Sequence, residues 1–207
     1  MTADAEVRRE SPRSKRTLIL SVAIDQFGKV GYEHTKWASI ADEVGIGQTA
    51  LYHYFESKAH CLLTIMRLEL AESAERFTAA TAGISDPTEA LRAAVAASLE
   101  ATPTDASQRR ILQNHMDLLA TERQSVKEEA ERLRSRELVG EIEQNWTDLI
   151  ARGIKSGDFV DSNPHLLGRL VLALVISVWR WYRPGGKIKL GEITTLVTDA
   201  ALRVVRK

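Results

Sequence analysis

The chain has 207 residues, 44% hydrophobic and 27% charged, with 28 Lys and Arg balancing 28 Asp and Glu, and a single cysteine. That is an ordinary globular composition with room for one or two cores, and lone Cys61 excludes an internal disulfide or a multi-cysteine zinc site, as suits a reducing cytoplasm. No signal peptide opens the polar N-terminus, and the longest apolar run, residues 170–179, is about half a bilayer span.

Residues 1–12 are charged and poor in apolar side chains, and read as a disordered basic arm. The first 60 residues carry eight basic and eight acidic side chains, so the N-terminal region has no bulk positive charge. Within residues 8–16, however, Arg8, Arg9, Arg13, Lys15 and Arg16 oppose only Glu10. Such an arm suits a run of phosphates, or equally a solvated tail that touches nothing. Residues 14–28 place Leu18, Ile19, Val22, Ile24 and Phe27 on one stripe of an amphipathic helix, with a connector to His34 and Thr35 as the next N-cap.

Residues 35–58 read T-K-W-A-S-I-A-D-E-V-G-I-G-Q-T-A-L-Y-H-Y-F-E-S-K. Trp37, Ile40, Ala41 and Val44 give a first short helix one buried face, and Gly45-Ile46-Gly47 breaks it. Residues 48–54 are too few for a stable isolated helix and must be held through Leu51 and Phe55. Their outward side chains, Gln48, Thr49, Tyr52 and His53, are hydrogen-bonding types. This is a helix-turn-helix, whose second helix enters the DNA major groove. Gln48 and Thr49 are placed for base edges, the glutamine toward adenine and the threonine methyl toward thymine. Arg13, Thr35, Lys36, Tyr52, His53 and Lys58 are placed for phosphates. Tyr52 stays open between DNA contact and core packing, Tyr54 and Trp37 are expected in the core, and His60 at the surface.

The pattern I-A-x-x-x-G-I-x-x-x-x-L-Y-x-Y-F-x-S-K, carried by Ile40, Ala41, Gly45, Ile46, Leu51, Tyr52, Tyr54, Phe55, Ser57 and Lys58, resembles the DNA-binding signature of the TetR family of bacterial repressors. The resemblance covers roughly residues 13–66. It departs at Gly47, where the family commonly has a capping Ser or Thr, and at Thr49, where a small residue is common. It implies a homodimer that binds a pseudo-palindromic operator and releases it when a small molecule enters the body.

From Ser57 onward every segment is helical. A long helix over 57–82 carries Leu62, Leu63, Ile65, Met66, Leu70, Ala74 and Phe77. Asp86-Pro87 restarts the chain over 87–101, and a helix over 105–119 follows Pro103. Residues 121–155 keep one apolar line beneath a charged surface. Asn163-Pro164 opens a helix apolar almost all round from 166 to 181, and a last helix spans 192–206. The expected fold is all-α, nine helices, TetR-like. A basic arm (1–12) leads to a three-helix head (13–56), followed by a six-helix effector-binding and dimerisation body (57–207). A helix hydrophobic on all sides needs burial on all sides. The helices over 166–182 and 192–206 are therefore expected to meet the same pair of a second copy as a two-fold four-helix interface.

No nucleophile elbow, P-loop, dinucleotide fingerprint or H-E-x-x-H is present, and the five histidines show no metal-ligand pairing. No enzyme, metal site or cofactor is expected, and Cys61 reads as a buried thiol. The resemblance places an effector pocket in the body. Ile176, Trp179, Arg180 and Arg183 follow helical spacing, and Trp146, Ile150, His115 and Leu119 are candidates to face them. An apolar cavity with two arginines at one end suits a greasy body with an anionic head. Arg180 and Arg183 serve equally for ion pairs across a dimer, with the tryptophans in the core. The segment R-W-Y-R-P-G-G resembles actinobacterial TetR-like regulators of lipid and steroid catabolism, which implies an acyl-CoA thioester effector. Two other readings stay open: a helical adaptor that keeps the head, and a TetR-type regulator of multidrug efflux that answers lipophilic compounds.

Overall fold

The computed structural model describes residues 12–207; residues 1–11 of the expected disordered arm, with Arg8 and Arg9, lie outside the described residues, and Pro12, its expected last residue, opens the first helix. Nine α-helices and one 3-10 turn make up the described chain, with no strand among them. The all-α, nine-helix expectation holds. No helix among the described residues is long and apolar enough to cross a membrane.

The chain divides into two compact units, with the division after Leu62. The first holds α1 (Pro12–Lys29), α2 (Trp37–Val44), α3 (Gln48–Tyr54) and the start of α4 (Lys58–Thr81). Its core is Ile19, Ala23, Phe27, Ile40, Ala41, Leu51, Phe55 and Leu62, all nearly inaccessible to solvent. Helix α1 begins at Pro12, two residues earlier than expected, because proline suits a first turn whose amides have no intrahelical partner. Gly45, at φ +71°, ends α2 in the left-handed conformation, and the Ile46 amide reaches back to the Ala41 carbonyl at 3.0 Å. The expected N-cap Thr35 is not the cap. Lys36 holds that position without a side-chain bond, because the Thr35 hydroxyl donates to the Gly31 carbonyl at 2.7 Å.

The second unit holds the rest of α4, then α5 (Pro87–Leu99), α6 (Pro103–Asn114), a 3-10 turn (Met116–Leu119), α7 (Val126–Ser156), α8 (Pro164–Trp181) and α9 (Leu190–Val205). Asp86, Thr102, Ser125 and Asn163 each cap the following helix by accepting backbone amides, and Thr102 with Asp105 forms a full capping box. Helix α7 starts at Val126 and not at 121, because Ser125 accepts the Glu128 amide. Helix α6 stops at Asn114, five residues short of expectation. His115 leaves the helical region at φ −126°, and its Nδ1 lies 2.7 Å from the Ile111 carbonyl that the next helical amide would use. Helices α7 and α8 pack closely at Gly168, where an added Cβ would stand 3.2 Å from the Thr147 backbone nitrogen. Near the end of α7, Phe159 folds over Gly153 so tightly that an added Cβ would fall 2.1 Å from its ring.

Candidate functional site

In the first unit, α3 has one buried anchor, Leu51, with Phe55 just beyond it. Gln48, Thr49, Tyr52 and His53 all stand exposed, Tyr52 at 47%. The spacing i, i+1, i+4, i+5 puts them on one face. Tyr52 therefore does not pack in the core. Tyr54 and Trp37, expected in the core, are half-buried. Gly47 precedes α3 with no side-chain bond to the helix start, as the missing Ser or Thr implies.

Two residues assigned to phosphates are engaged inside the unit. Thr35 is 4% exposed, with its hydroxyl committed to Gly31. Lys58 Nζ donates to the carbonyls of Tyr32 at 2.7 Å, Thr35 at 3.0 Å and Glu33 at 3.4 Å, and lies 4.4 Å from the centre of the Tyr32 ring. An ammonium has three donors. All three point at the turn between α1 and α2, so Lys58 holds that turn. His60 is buried, against expectation. Its Nδ1 accepts the Glu56 amide at 3.3 Å, and its own amide donates to Ser57 Oγ at 2.8 Å. Arg16 donates to the Tyr54 carbonyl at 2.9 Å and stacks 4.2 Å from the Phe55 ring centre. Arg13 and Lys36 remain exposed. Burial pushes the Cys61 thiol well above its usual range, which leaves it protonated and inert.

In the second unit a cavity of about 160 Å³ opens among α4, α6, α7 and α8. Its wall is mostly apolar and includes Trp146, Ile176 and Trp179. His115, Leu119, Ile150, Arg180 and Arg183 do not line it. Ile150 is fully buried and Leu119 nearly so, His115 is turned to its own helix, and Arg180 is the outward neighbour of buried Trp179. Arg183 lies past the end of α8, where the helical stripe no longer applies, and its guanidinium donates to the Arg180 and Tyr182 carbonyls at 3.2 and 3.0 Å.

The charge at the cavity comes from residues that the spacing argument missed. Glu69 Oε1 accepts from Arg76 at 2.7 Å and from Arg109 at 3.1 Å. Arg109 also donates to the Ser98 and Glu100 carbonyls and lies 4.7 Å from the Trp179 ring centre. Burial raises the Glu69 pKa against the pull of both guanidiniums, and burial lowers that of Arg109. A signal was present in the sequence: Glu69 interrupts the apolar stripe of α4, and Arg109 sits between Ala106 and Ile111. A charge at a core position needs a partner at another core position.

On the outer side of this unit Leu166 (58% exposed) and Leu170 (56%) of α8 and Leu196 (70%) of α9 face solvent in the single chain. No group of three or more His, Cys, Asp or Glu is placed to hold a metal among the described residues.

Comparison with known proteins gives two family matches. Residues 19–65 match the family described as bacterial regulatory proteins, tetR family, and residues 85–205 match the tetracyclin repressor-like C-terminal domain. The HTH-type transcriptional repressor KstR2 of Rhodococcus jostii (strain RHA1) is 30% identical over 181 residues, 86% of this chain and 85% of that protein. The solved structure of the ketosteroid transcriptional regulator KstR2 of Mycobacterium tuberculosis matches at TM-score 0.76 and 26% identity, covering 95% of this chain and 97% of that one. AibR, solved with isovaleryl coenzyme A and operator DNA, matches at TM-score 0.73 and 19% identity over 90% of this chain and 97% of that one, a likeness of fold alone.

Proposed function

Because the chain belongs to the TetR family of bacterial regulatory proteins, we propose that it is a repressor that binds a pseudo-palindromic operator as a homodimer and leaves it when a small molecule binds. The family is one of transcriptional regulators, so the chain is not an enzyme. In this reading residues 13–56 are the DNA-binding domain, and residues 57–207 bind effector and form the dimer. The observation that carries the proposal is the exposed face of α3, where Gln48, Thr49, Tyr52 and His53 stand together over buried Leu51. Gln48 and Thr49 read base edges, while Arg13, Lys36, Tyr52 and His53 fix the register on phosphates.

The exposed leucines of α8 and α9 support a two-fold interface made by these helices from each copy. Three leucines more than half exposed on two helices that pack together suit burial against a second copy. The effector in this reading is a hydrophobic anionic molecule such as an acyl-CoA thioester, its apolar part against Trp146, Ile176 and Trp179. Support comes from the apolar cavity and from a relative described as a ketosteroid transcriptional regulator, and AibR, alike in fold alone, was solved with isovaleryl coenzyme A. Effector binding acts on the head through α4, which supplies Glu69, Leu70, Ser73 and Arg76 to the cavity wall and belongs at its start to the first unit. Footprinting on the DNA around the protein's own gene tests the proposal: two protected half-sites, lost on adding effector, are expected. Binding without sequence preference refutes it.

A further inference from the structure

The cavity is too small to enclose a whole acyl-CoA. At about 160 Å³ it is close to an engineered apolar cavity of about 150 Å³ that takes a single benzene. A short acyl group fills it, and whatever is attached to that group has to leave through an opening. Two surface grooves share wall residues with the cavity. The first shares Arg76 and Arg109 and is edged by Glu72, Glu100 and Asp105. The second shares Met116, Val139 and Glu143, and continues past Leu119 and Gly140 to Arg136.

Their charges separate them. In the first groove both guanidiniums already bond Glu69, and Arg76 also meets Glu72 at 3.5 Å, so Glu100 and Asp105 leave an acidic surplus. In the second, Glu143 is paired with Arg169 at 3.3 Å, and exposed Arg136 has no carboxylate partner among the described residues. A polyanionic chain is repelled from the first groove and attracted to the second. Gly140 adds an independent observation. It sits inside α7, where glycine is disfavoured, yet nothing stands within 4 Å of the place its Cβ would occupy. Its bareness serves no packing within the chain and widens the groove.

We propose that the groove from Met116 to Arg136 holds the polar, multiply anionic tail of a phosphorylated thioester, while the acyl group of six or so carbons occupies the cavity. This rests on the reading of the cavity as the effector site. Calorimetry on the full chain tests it with two probes, hexanoyl-CoA and the tailless S-methyl hexanethioate. Arg136→Glu removes a charge-assisted contact and adds repulsion, and Gly140→Leu fills the groove with a better helix former, so the fold is kept. Each variant is expected to weaken hexanoyl-CoA at least about tenfold and to leave the tailless thioester unchanged. Unchanged hexanoyl-CoA affinity in both variants overturns the groove and leaves the cavity reading intact. Equal loss of both probes places the effect in the cavity and also overturns it. If the unaltered chain binds neither probe, the cavity reading itself fails and this proposal with it.

Discussion

Replacing Lys58 separates a structural lysine from a phosphate-binding one. Its ammonium makes two good bonds, at 2.7 Å to the Tyr32 carbonyl and 3.0 Å to the Thr35 carbonyl, with a longer one to Glu33. A hydrogen bond to a charged group is worth about 1.5–3 kcal/mol, and partial exposure with water as substitute donor brings the whole set to roughly 2 kcal/mol. In a chain of this length that lowers Tm by about 4–8 °C. Lys58→Gln should therefore melt early while the salt dependence of DNA binding keeps its slope. Lys36→Gln is the contrast. Lys36 is exposed with its side chain making no cap, so its loss should leave Tm within about 1 °C and reduce the slope of log K against log salt by about 0.9 per protomer. Thermal melts by circular dichroism and anisotropy titrations at several salt concentrations measure both quantities. An unshifted Tm together with a reduced slope for Lys58→Gln would mean that Nζ faces phosphate and not the turn.

Gly153→Ala should destabilise by about 1–3 kcal/mol, because its Cβ overlaps the Phe159 ring and the adjoining backbone must move; urea unfolding reads this, and a neutral result would show that Phe159 swings away freely. Glu129 titrates at about 2, held down by its hydrogen bonds from Arg132 and from the Arg123 amide. Its folded value lies below the ordinary one of about 4.3, so the unfolded chain binds more protons in between, and its contribution, present above pH 4.3, is lost as pH falls toward 2. Glu129→Gln should flatten the fall of Tm across that window, whereas an unchanged acid limb contradicts the pairing. Leu170→Glu with Leu196→Glu should convert a dimer of 23.0 kDa chains into monomers by sedimentation; a dimer that persists places its interface elsewhere.

Much of the head was legible in the sequence because its constraints are local. Gly45 has to end α2, Leu51 and Phe55 have to anchor α3, and the outward positions then follow from helical spacing. Lys58 was not legible in this way. Its position in the signature is the one expected, but its partners are the carbonyls of residues 32–35, more than twenty positions away. The body shows the same divide. Periodicity placed α7 and α8 within a few residues, whereas α6 ended early at His115 through a side-chain bond to Ile111 that no stripe encodes. Arg183 leaves the stripe because α8 stops at Trp181, and Arg180, still on the helix, faces solvent beside buried Trp179. The charge at the cavity is instead Glu69 with Arg76 and Arg109, three residues from two helices that only the tertiary fold brings together.

If α3 reads sequence, Gln48→Ala lowers the ratio of affinities for the footprinted operator and a scrambled duplex of equal length, relative to the unaltered chain. A bidentate Gln–adenine contact is worth about 1–3 kcal/mol of discrimination, so the ratio should fall roughly 5- to 150-fold for each half-site while affinity for the scrambled duplex holds. An unchanged ratio would mean that Gln48 does not touch a base and that α3 is not the reading helix.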